Sequence, residues 1–137
     1  MIKRKFGRKK AHREHMLANL ATSVILFEHV KTTKAKAKEV STIVQKLIDL
    51  GKKNNLTSKR RLIAYLPDKL ASKKIIEDLA KRYSTRVGGY LQSYNMGVRA
   101  GDGSQMVMLK LIAKVKTPEE PKNDKKIVED NKEKKNK

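Results

Sequence analysis

The apolar residues of this chain change their spacing partway along the sequence, and that change strongly constrains the fold. Through about Tyr83 most of them recur every three or four residues, the period of a helix with one buried stripe. After Gly88 and Gly89 they alternate with polar residues, the period of a strand with one buried face. A length of 137 residues suggests a single domain. We therefore expect an α+β fold in two layers, with about four helices packed on a small three-stranded mixed sheet.

Residues suited to helix ends divide the first part of the chain into four predicted helices. Thr33, Thr57 or Ser58, and Asp68 can each accept a hydrogen bond from the first turn of the helix that follows, and Gly51 is typical of a helix end. The predicted helices run from Arg13 to Glu28, from Thr33 to about Gly51, from Thr57 or Ser58 to Tyr65, and from Asp68 to about Tyr83.

Three strands are predicted. The segment from Glu28 to Thr33 is rich in β-branched residues and too short for a helix. Two later strands, from Tyr90 to Arg99 and from Gln105 to Val115, flank the turn sequence AGDGS and predict a hairpin. Because a lone hairpin is only marginally stable, we expect it to pair with the early strand and to pack against the helices.

The charge is concentrated in the first 116 residues. The whole chain has 34 Lys and Arg against 14 Asp and Glu, a formal net charge of +20, and 27 of the basic and 8 of the acidic residues precede Thr117. We divide the chain into a basic N-terminal arm (residues 1–12), a globular domain (residues 13–116) and a mixed-charge tail (residues 117–137) that is predicted to be disordered. Residues 1–116 carry +19, a field that attracts polyanions, of which a nucleic-acid backbone is the commonest.

Other classes of partner are less favoured. A merely solvated surface explains the charge less well, because solubility needs a smaller excess. No helix combines a basic face with Trp or Phe anchors for a membrane surface, and no apolar run is long enough to cross one. The absence of cysteine excludes disulfides and thiolate metal sites. Without a secretory signal, we expect a cytoplasmic protein.

Catalysis is poorly supported by the sequence. His12, Glu14 and His15 could suggest a metal site, but the lysines and arginines around them would repel a cation. No phosphate-binding P-loop and no serine nucleophile motif occurs. We expect no enzymatic activity, no catalytic residue, no metal or other cofactor and no small-molecule substrate.

Several basic clusters are candidate RNA-binding sites. The arm and the residues after it contain too little apolar sequence to bury a core, so we expect them to order on a phosphate backbone. Lysines crowd the start of the second helix, where the helix dipole disfavours cations, and arginine suits phosphates better than lysine does. From these clusters the candidates are Lys3, Arg4, Lys5, Arg8, Lys9, Lys10, His12 and Arg13 in the arm region, Lys36 and Lys38 in the second helix, and Lys59, Arg60 and Arg61 in the third.

A further cluster surrounds the paired glycines and adds Arg82, Arg86, Gly88, Gly89 and Tyr90 to the candidates. Glycines would let backbone N–H groups approach a phosphate, and a tyrosine could stack on an exposed base. Two alternatives compete with this interpretation. The glycines can simply form the turn from helix to strand, and core packing is favoured over base stacking for Tyr90 and Tyr94.

The chain from Gly7 to about Ile112 resembles a known family, the bacterial large-subunit ribosomal proteins numbered seventeen. The matching stretches are Gly7-Arg8, His12-Arg13, Asn19-Leu20 with Thr22-Ser23, Glu28 to Thr33, Lys36 to Val40, Arg60-Arg61, Arg82-Tyr83, Arg86 with Gly88-Gly89-Tyr90, and Arg99 with Gly101-Asp102 and Met106. The resemblance implies an α+β structural protein that binds large-subunit ribosomal RNA beside neighbouring ribosomal proteins, and it adds Lys31 and Arg99 to the candidate residues.

The sequence departs from the family pattern at three places. Lys10-Ala11 stand where the family tends to have two serines, Leu91-Gln92 where it tends to have Thr-Arg, and Lys110 where an acidic residue is usual. The tail lies outside the resemblance. Two other function classes stay open: a nucleoid-type or regulatory DNA-binding protein, and an RNA-modifying enzyme whose site the fold assembles from distant residues.

Overall fold

The computed structural model describes residues 4–112, and the predicted tail lies outside them. The elements are α1 (Lys10–Phe27), β1 (His29–Thr33), α2 (Lys34–Lys52), α3 (Leu56–Tyr65), α4 (Lys69–Lys74), a π-helical turn (Ile75–Leu79), α5 (Ala80–Arg82), β2 (Leu91–Val98) and β3 (Gln105–Leu111). The π-helical turn joins α4 and α5 into one continuous helix, so the prediction of four helices and three strands is confirmed.

The early strand joins the hairpin, as predicted. The strand order is β1-β3-β2, and β3 is the central strand. Thr32 of β1 lies opposite Val107, and Leu91 of β2 lies opposite Leu111. Both pairings are antiparallel, so the sheet is not mixed in the sense expected. The reason is that the chain reverses direction between each pair of neighbouring strands.

The core forms where one face of the sheet meets the helices. Alternate residues of β3, among them Val107, Leu109 and Leu111, are buried, as their spacing predicts. Val40 and Val44 are buried on the facing side of α2. In contrast, β2 from Gln92 onward is exposed, so the hairpin extends beyond the helices. None of the helices within residues 4–112 is long and apolar enough to cross a membrane.

The start of α3 and the position of Gly51 in α2 differ from the prediction. The cap of α3 is Asn55, whose Oδ1 accepts a hydrogen bond from the Ser58 backbone N–H at 2.7 Å, rather than Thr57 or Ser58. Gly51 lies inside α2, which continues to Lys52, and its backbone is buried. Asp68 caps α4 as predicted, by accepting from the Leu70 N–H at 2.8 Å.

Gly51 allows α2 to approach the fourth helix closely. A methyl group at this position would lie 2.5 Å from Cγ2 of Ile75, which is fully buried. We expect Gly51→Ala to lower the free energy of unfolding by about 1–3 kcal/mol, although alanine ordinarily favours a helix. Urea denaturation measures this change. Adding Ile75→Leu, which moves the branch away from Cβ, should restore part of the stability, and no restoration would mean that the contact with Ile75 is not the cause of the destabilisation.

Candidate nucleic-acid interface

Two helices begin without a side-chain cap and with cations around the first turn. Neither Lys9, at the cap position of α1, nor Thr33, at that of α2, makes a side-chain hydrogen bond to the helix, and neither first turn has an acidic residue. Helices α3 and α4 differ, because Asn55 and Asp68 cap them. Within residues 4–112 no side chain accepts from the first N–H groups of α1 and α2, and the helix dipole makes both starts favourable for an anion.

The N-terminal arm contacts the start of α2. A guanidinium nitrogen of Arg4 donates to the Ala35 carbonyl oxygen in the first turn of α2 at 3.5 Å, and Arg4 Nε lies 3.9 Å from a Glu39 carboxylate oxygen. Phe6 is half-buried against the core. The arm thus contributes to the core, contrary to expectation, and α1 begins at Lys10 rather than Arg13. These contacts place the cations of the arm beside the start of α2.

Most of the candidate residues face solvent. The exposed ones are Arg4, Lys5, Lys9, Lys10, His12, Lys31, Lys38, Arg60, Arg61, Arg86, Gly89 and Arg99. The half-buried ones are Arg8, Arg13, Lys36, Lys59, Arg82 and Gly88. Tyr90 is buried. Lys3 lies outside the described residues. The arm and the hairpin both come close to the start of α2, since Arg4 contacts Ala35 and Lys34 Nζ donates to Gln105 Oε1 at 3.1 Å.

Arg82 is committed to carboxylates inside the protein. Its two terminal nitrogens each donate to one Glu28 oxygen at 2.9 Å, and one of them also donates to Asp78 at 2.7 Å. Lys74 Nζ lies 3.0 Å from the same Glu28 carboxylate. The hydrogen bonds from Arg82, assisted by Lys74, lower the pKa of Glu28 from 4.5 to about 2. These contacts favour a structural role for Arg82 over an RNA contact, and its assignment to RNA stays a prediction.

This ion-pair cluster holds the end of α1 to the fourth helix. Glu28 follows α1 with φ of 61°, a left-handed conformation that is unfavourable for residues other than glycine. Its carbonyl oxygen also accepts from the Leu111 N–H at 2.8 Å. No pattern in the sequence indicates this cluster, because Glu28 and Arg82 are 54 residues apart.

Tyr90 and Tyr94 have opposite environments. Tyr90 is fully buried, its ring centroid lies 5.0 Å from that of Tyr83, and its hydroxyl donates to Asp49 Oδ1 at 2.5 Å. The core interpretation of Tyr90 is confirmed, and its assignment as an RNA-stacking residue is wrong because no ring face is exposed. Tyr94 is 47% exposed, so the core interpretation of that residue is wrong.

The paired glycines form a turn. Gly88 and Gly89 have φ of 81° and 62°, and a Cβ atom at either position would meet nothing within 4 Å. Their backbone conformation, rather than any crowding, accounts for glycine at both positions. Arg86 is exposed beside them, and its carbonyl oxygen accepts a hydrogen bond from Lys52 Nζ and lies 3.2 Å from the Tyr90 hydroxyl oxygen.

The hairpin turn contains an arginine that is partly neutralised. Arg99 donates to both carboxylate oxygens of Asp102, at 3.0 and 2.5 Å. These bonds, with those from Ser104, hold the pKa of Asp102 below its usual range. Both side chains stay about half exposed, so Arg99 has donors left for an external anion.

Cations greatly exceed carboxylates over the surface. Residues 4–112 contain 24 Lys and Arg and 8 Asp and Glu, a net charge of +16. Within this range five of the 24 cations lie within 4 Å of a carboxylate: Arg4, Lys73, Lys74, Arg82 and Arg99. The other cations can meet an external polyanion without first breaking an ion pair of this part of the chain. The same residues contain no group of three or more His, Asp or Glu arranged to hold a metal ion.

Comparison with known proteins gives consistent matches. The profile of the family described as Ribosomal protein L17 matches residues 16–112. The large ribosomal subunit protein bL17 of Caldanaerobacter subterraneus subsp. tengcongensis is 41% identical over 112 residues, which is 82% of this chain and all of that protein. The protein of the same name from Moorella thermoacetica is 38% identical with the same coverage. That of Ligilactobacillus salivarius is 40% identical over 126 residues, covering 82% of this chain and 99% of the relative.

Proposed function

Since the chain belongs to the ribosomal protein L17 family, we propose that it is a structural constituent of the large ribosomal subunit that binds and stabilises ribosomal RNA. In this proposal the protein acts in the cytoplasm, beside neighbouring large-subunit proteins, and catalyses no reaction. The names of its relatives, which are large ribosomal subunit proteins, support the assignment to the large subunit. The observation that carries RNA binding is the pair of uncapped, cation-rich helix starts, the second of which Arg4 of the arm contacts.

The geometry supports binding to the phosphate backbone. Lys9 and Lys10 at the start of α1, and Lys36 and Lys38 in the first turns of α2, place ammonium groups beside backbone N–H groups that lack side-chain acceptors. A phosphate at either start would accept from the backbone and also be held by charge. Contacts of this kind orient a protein on folded RNA without reading its sequence. We assign Lys5, Arg8, His12, Arg13, Lys31, Lys59, Arg60, Arg61, Arg86 and Arg99 to further phosphate contacts.

The salt dependence of binding tests this proposal. A variant with Lys9, Lys10, Lys36 and Lys38 changed to Gln should bind purified large-subunit ribosomal RNA more weakly. The slope of log affinity against log salt concentration should flatten by roughly one unit for each phosphate that the variant no longer neutralises. Filter binding or fluorescence anisotropy over a salt series measures this slope.

A matched control changes an equal number of cations elsewhere. Lys46, Lys53, Lys69 and Lys81 are exposed, and none is assigned to the interface. If both four-residue variants flatten the slope equally, the charge acts diffusely and the two helix starts are not the site. If the protein in a sedimented lysate follows the nucleoid instead of large-subunit particles, the ribosomal proposal is wrong and a DNA-binding role replaces it.

A further inference from the structure

One face of the three-stranded sheet is not covered by the helices. Buried residues alternate with exposed or half-exposed ones along β1 and β3, and the helices cover only the buried set, which includes Thr32, Val107 and Leu109. We call the opposite side the open face. It consists of His29, Lys31 and Thr33 from β1, Met106, Met108 and Lys110 from β3, and Gln92 and Tyr94 from β2.

The strand register places apolar and cationic side chains of the open face in adjacent rows. Lys31 lies opposite Met108, and Met108 lies opposite Tyr94. In the next row Lys110 lies between His29 and Gln92. Neighbouring strands are about 4.8 Å apart. Measured across the sheet, the backbone positions of Lys31 and Lys110 therefore both lie within about 10 Å of the backbone of Tyr94. A tyrosine and a methionine therefore form the centre of a surface that cations border.

The ring of Tyr94 is accessible and its direction is fixed. The residue is 47% exposed, and its hydroxyl donates to Gln92 Oε1, two residues away on the same face, at 2.7 Å. Met96, two residues further along β2 where its register with β3 becomes irregular, is 43% exposed. An aromatic ring held on a sheet surface beside polarizable methionines can stack on an unpaired nucleobase, as in other sheets that bind single-stranded RNA.

The charge on this side favours a polyanion over a neutral protein partner. The 20 residues of the three strands include no Asp or Glu. The carboxylates nearest to them in sequence are already paired, Glu28 with Arg82 and Lys74, and Asp102 with Arg99. His29, Lys31 and Lys110 are exposed and have no carboxylate within 4 Å in the described part of the chain.

From this arrangement we propose that the open face is a second RNA-binding surface. It stacks one unpaired base on Tyr94, while Lys31 and Lys110 contact the phosphates on either side. This inference rests on the proposed function and deepens it. The helix starts contact only the phosphate backbone of the RNA, whereas the open face selects a single-stranded nucleotide. Stacking of this kind tolerates any base, since every base has a π-face.

The chain contains no tryptophan, so Tyr94→Trp introduces a single fluorescent reporter. Titration with an eight-nucleotide oligoadenylate should quench the emission of this tryptophan. Heparin, a polyanion without bases, should bind without quenching. Leu70→Trp provides the matched control, because Leu70 is 66% exposed on α4, away from the sheet, and should show little quenching with either probe.

Two further variants separate stacking from apolar contact. We expect Tyr94→Phe to keep the affinity for the oligoadenylate and Tyr94→Leu to lower it roughly five- to hundredfold. Thermal unfolding should be unchanged in both, since the side chain is outside the core. Equal affinities for the Phe and Leu variants, or equal quenching at positions 94 and 70, would overturn the proposal and leave this side of the sheet for a protein partner.

The two proposals can fail separately. If the salt slope for ribosomal RNA depends on the helix-start lysines but position 94 is not quenched, the open-face proposal is wrong and the proposed function stands. If position 94 is quenched by the oligoadenylate but the salt slope for ribosomal RNA does not depend on the helix-start lysines, the open-face proposal stands and the helix starts are not the site.

Discussion

An Arg82→Met variant is expected to lower the free energy of unfolding by about 3 kcal/mol. The substitution removes both 2.9 Å hydrogen bonds to Glu28 and the 2.7 Å bond to Asp78. It leaves the half-buried Glu28 carboxylate with Lys74 alone, and a carboxylate that loses its main partner away from water is costly. Arg82 is itself only 14% exposed, so solvent compensates little for the missing charge. Urea denaturation at neutral pH measures the difference.

Arg86→Met is the matched control. Arg86 is exposed, and among the described residues its guanidinium hydrogen-bonds only to the Gly88 carbonyl oxygen, at 3.3 Å. Its replacement should change stability by about 0.5 kcal/mol or less. Similar effects in the two variants would show that the ion-pair cluster contributes no more than an ordinary surface residue. If the Arg82 variant also kept its stability but bound RNA more weakly, the sequence-based assignment of Arg82 to RNA would be right after all.

The same cluster makes stability depend on pH in a defined window. The pKa of Glu28 falls from 4.5 in the unfolded chain to about 2 in the folded protein, so folding favours the charged form. The stabilisation is complete above pH 4.5 and declines progressively as the pH falls toward 2. In Glu28→Gln this acid-dependent component should be absent, so the wild-type and variant stabilities should converge on acidification. A constant difference down to pH 2 would contradict the assignment.

Much of the architecture can be predicted from the spacing of apolar residues along the sequence. In a helix or a strand, side chains that point to the same side recur with the period of the backbone. The alternation through Val107, Leu109 and Leu111 predicts one buried face for the last strand, and that prediction is confirmed. The same rule fails at Tyr90, which precedes β2 and follows two glycines with positive φ. The backbone turns there, so Tyr90 points into the core while Tyr94 lies on the open face.

The errors in the fold prediction share a physical cause, namely contacts between residues distant in sequence. Gly51 is typical of a helix end, but its conformation is helical and glycine is needed because Ile75 packs against it. Phe6 cannot be assigned to the core from the sequence, since one aromatic residue among seven basic ones carries no periodic signal. At α3, several polar residues could cap the helix, and only the hydrogen bond from Ser58 N–H identifies Asn55.

For the candidate site, the sequence shows where the cations are, but it does not show which of them are already paired with carboxylates of the same protein. Lys9 and Lys36 are near helix starts that lack side-chain caps, and the clustering of lysines at α2 itself indicates that an anion is needed there. Arg82 looks equivalent in the sequence, yet three hydrogen bonds to carboxylates commit it to the fold. A basic residue is therefore best assigned to RNA only after its internal partners are known.

The largest single destabilisation is expected at Tyr90. Tyr90→Ala should lower the free energy of unfolding by about 3–5 kcal/mol, because it removes a fully buried ring and leaves a cavity beside Tyr83. It also removes the hydrogen bond to Asp49 and the interaction with Lys52, whose Nζ lies 4.6 Å from the ring centroid. Tyr90→Phe keeps the ring and should cost about 1 kcal/mol, the contribution of the hydroxyl.

Tyr90→Phe also tests whether the hydroxyl of Tyr90 takes part in RNA binding, because phenylalanine keeps the ring and removes only the hydroxyl. Tyr90→Phe should bind ribosomal RNA as the wild type does, and it should keep the packing against Tyr83. Urea denaturation and RNA affinity are measured on the same preparations, with Tyr94→Leu as the opposite case, in which the affinity falls and the stability does not. If Tyr90→Phe bound RNA more weakly while its unfolding midpoint stayed at the wild-type value, the buried hydroxyl would have to reach RNA through a rearrangement of the loop at Gly88 and Gly89. The structural assignment of Tyr90 would then be wrong, because burial in the free protein would no longer predict which residues bind.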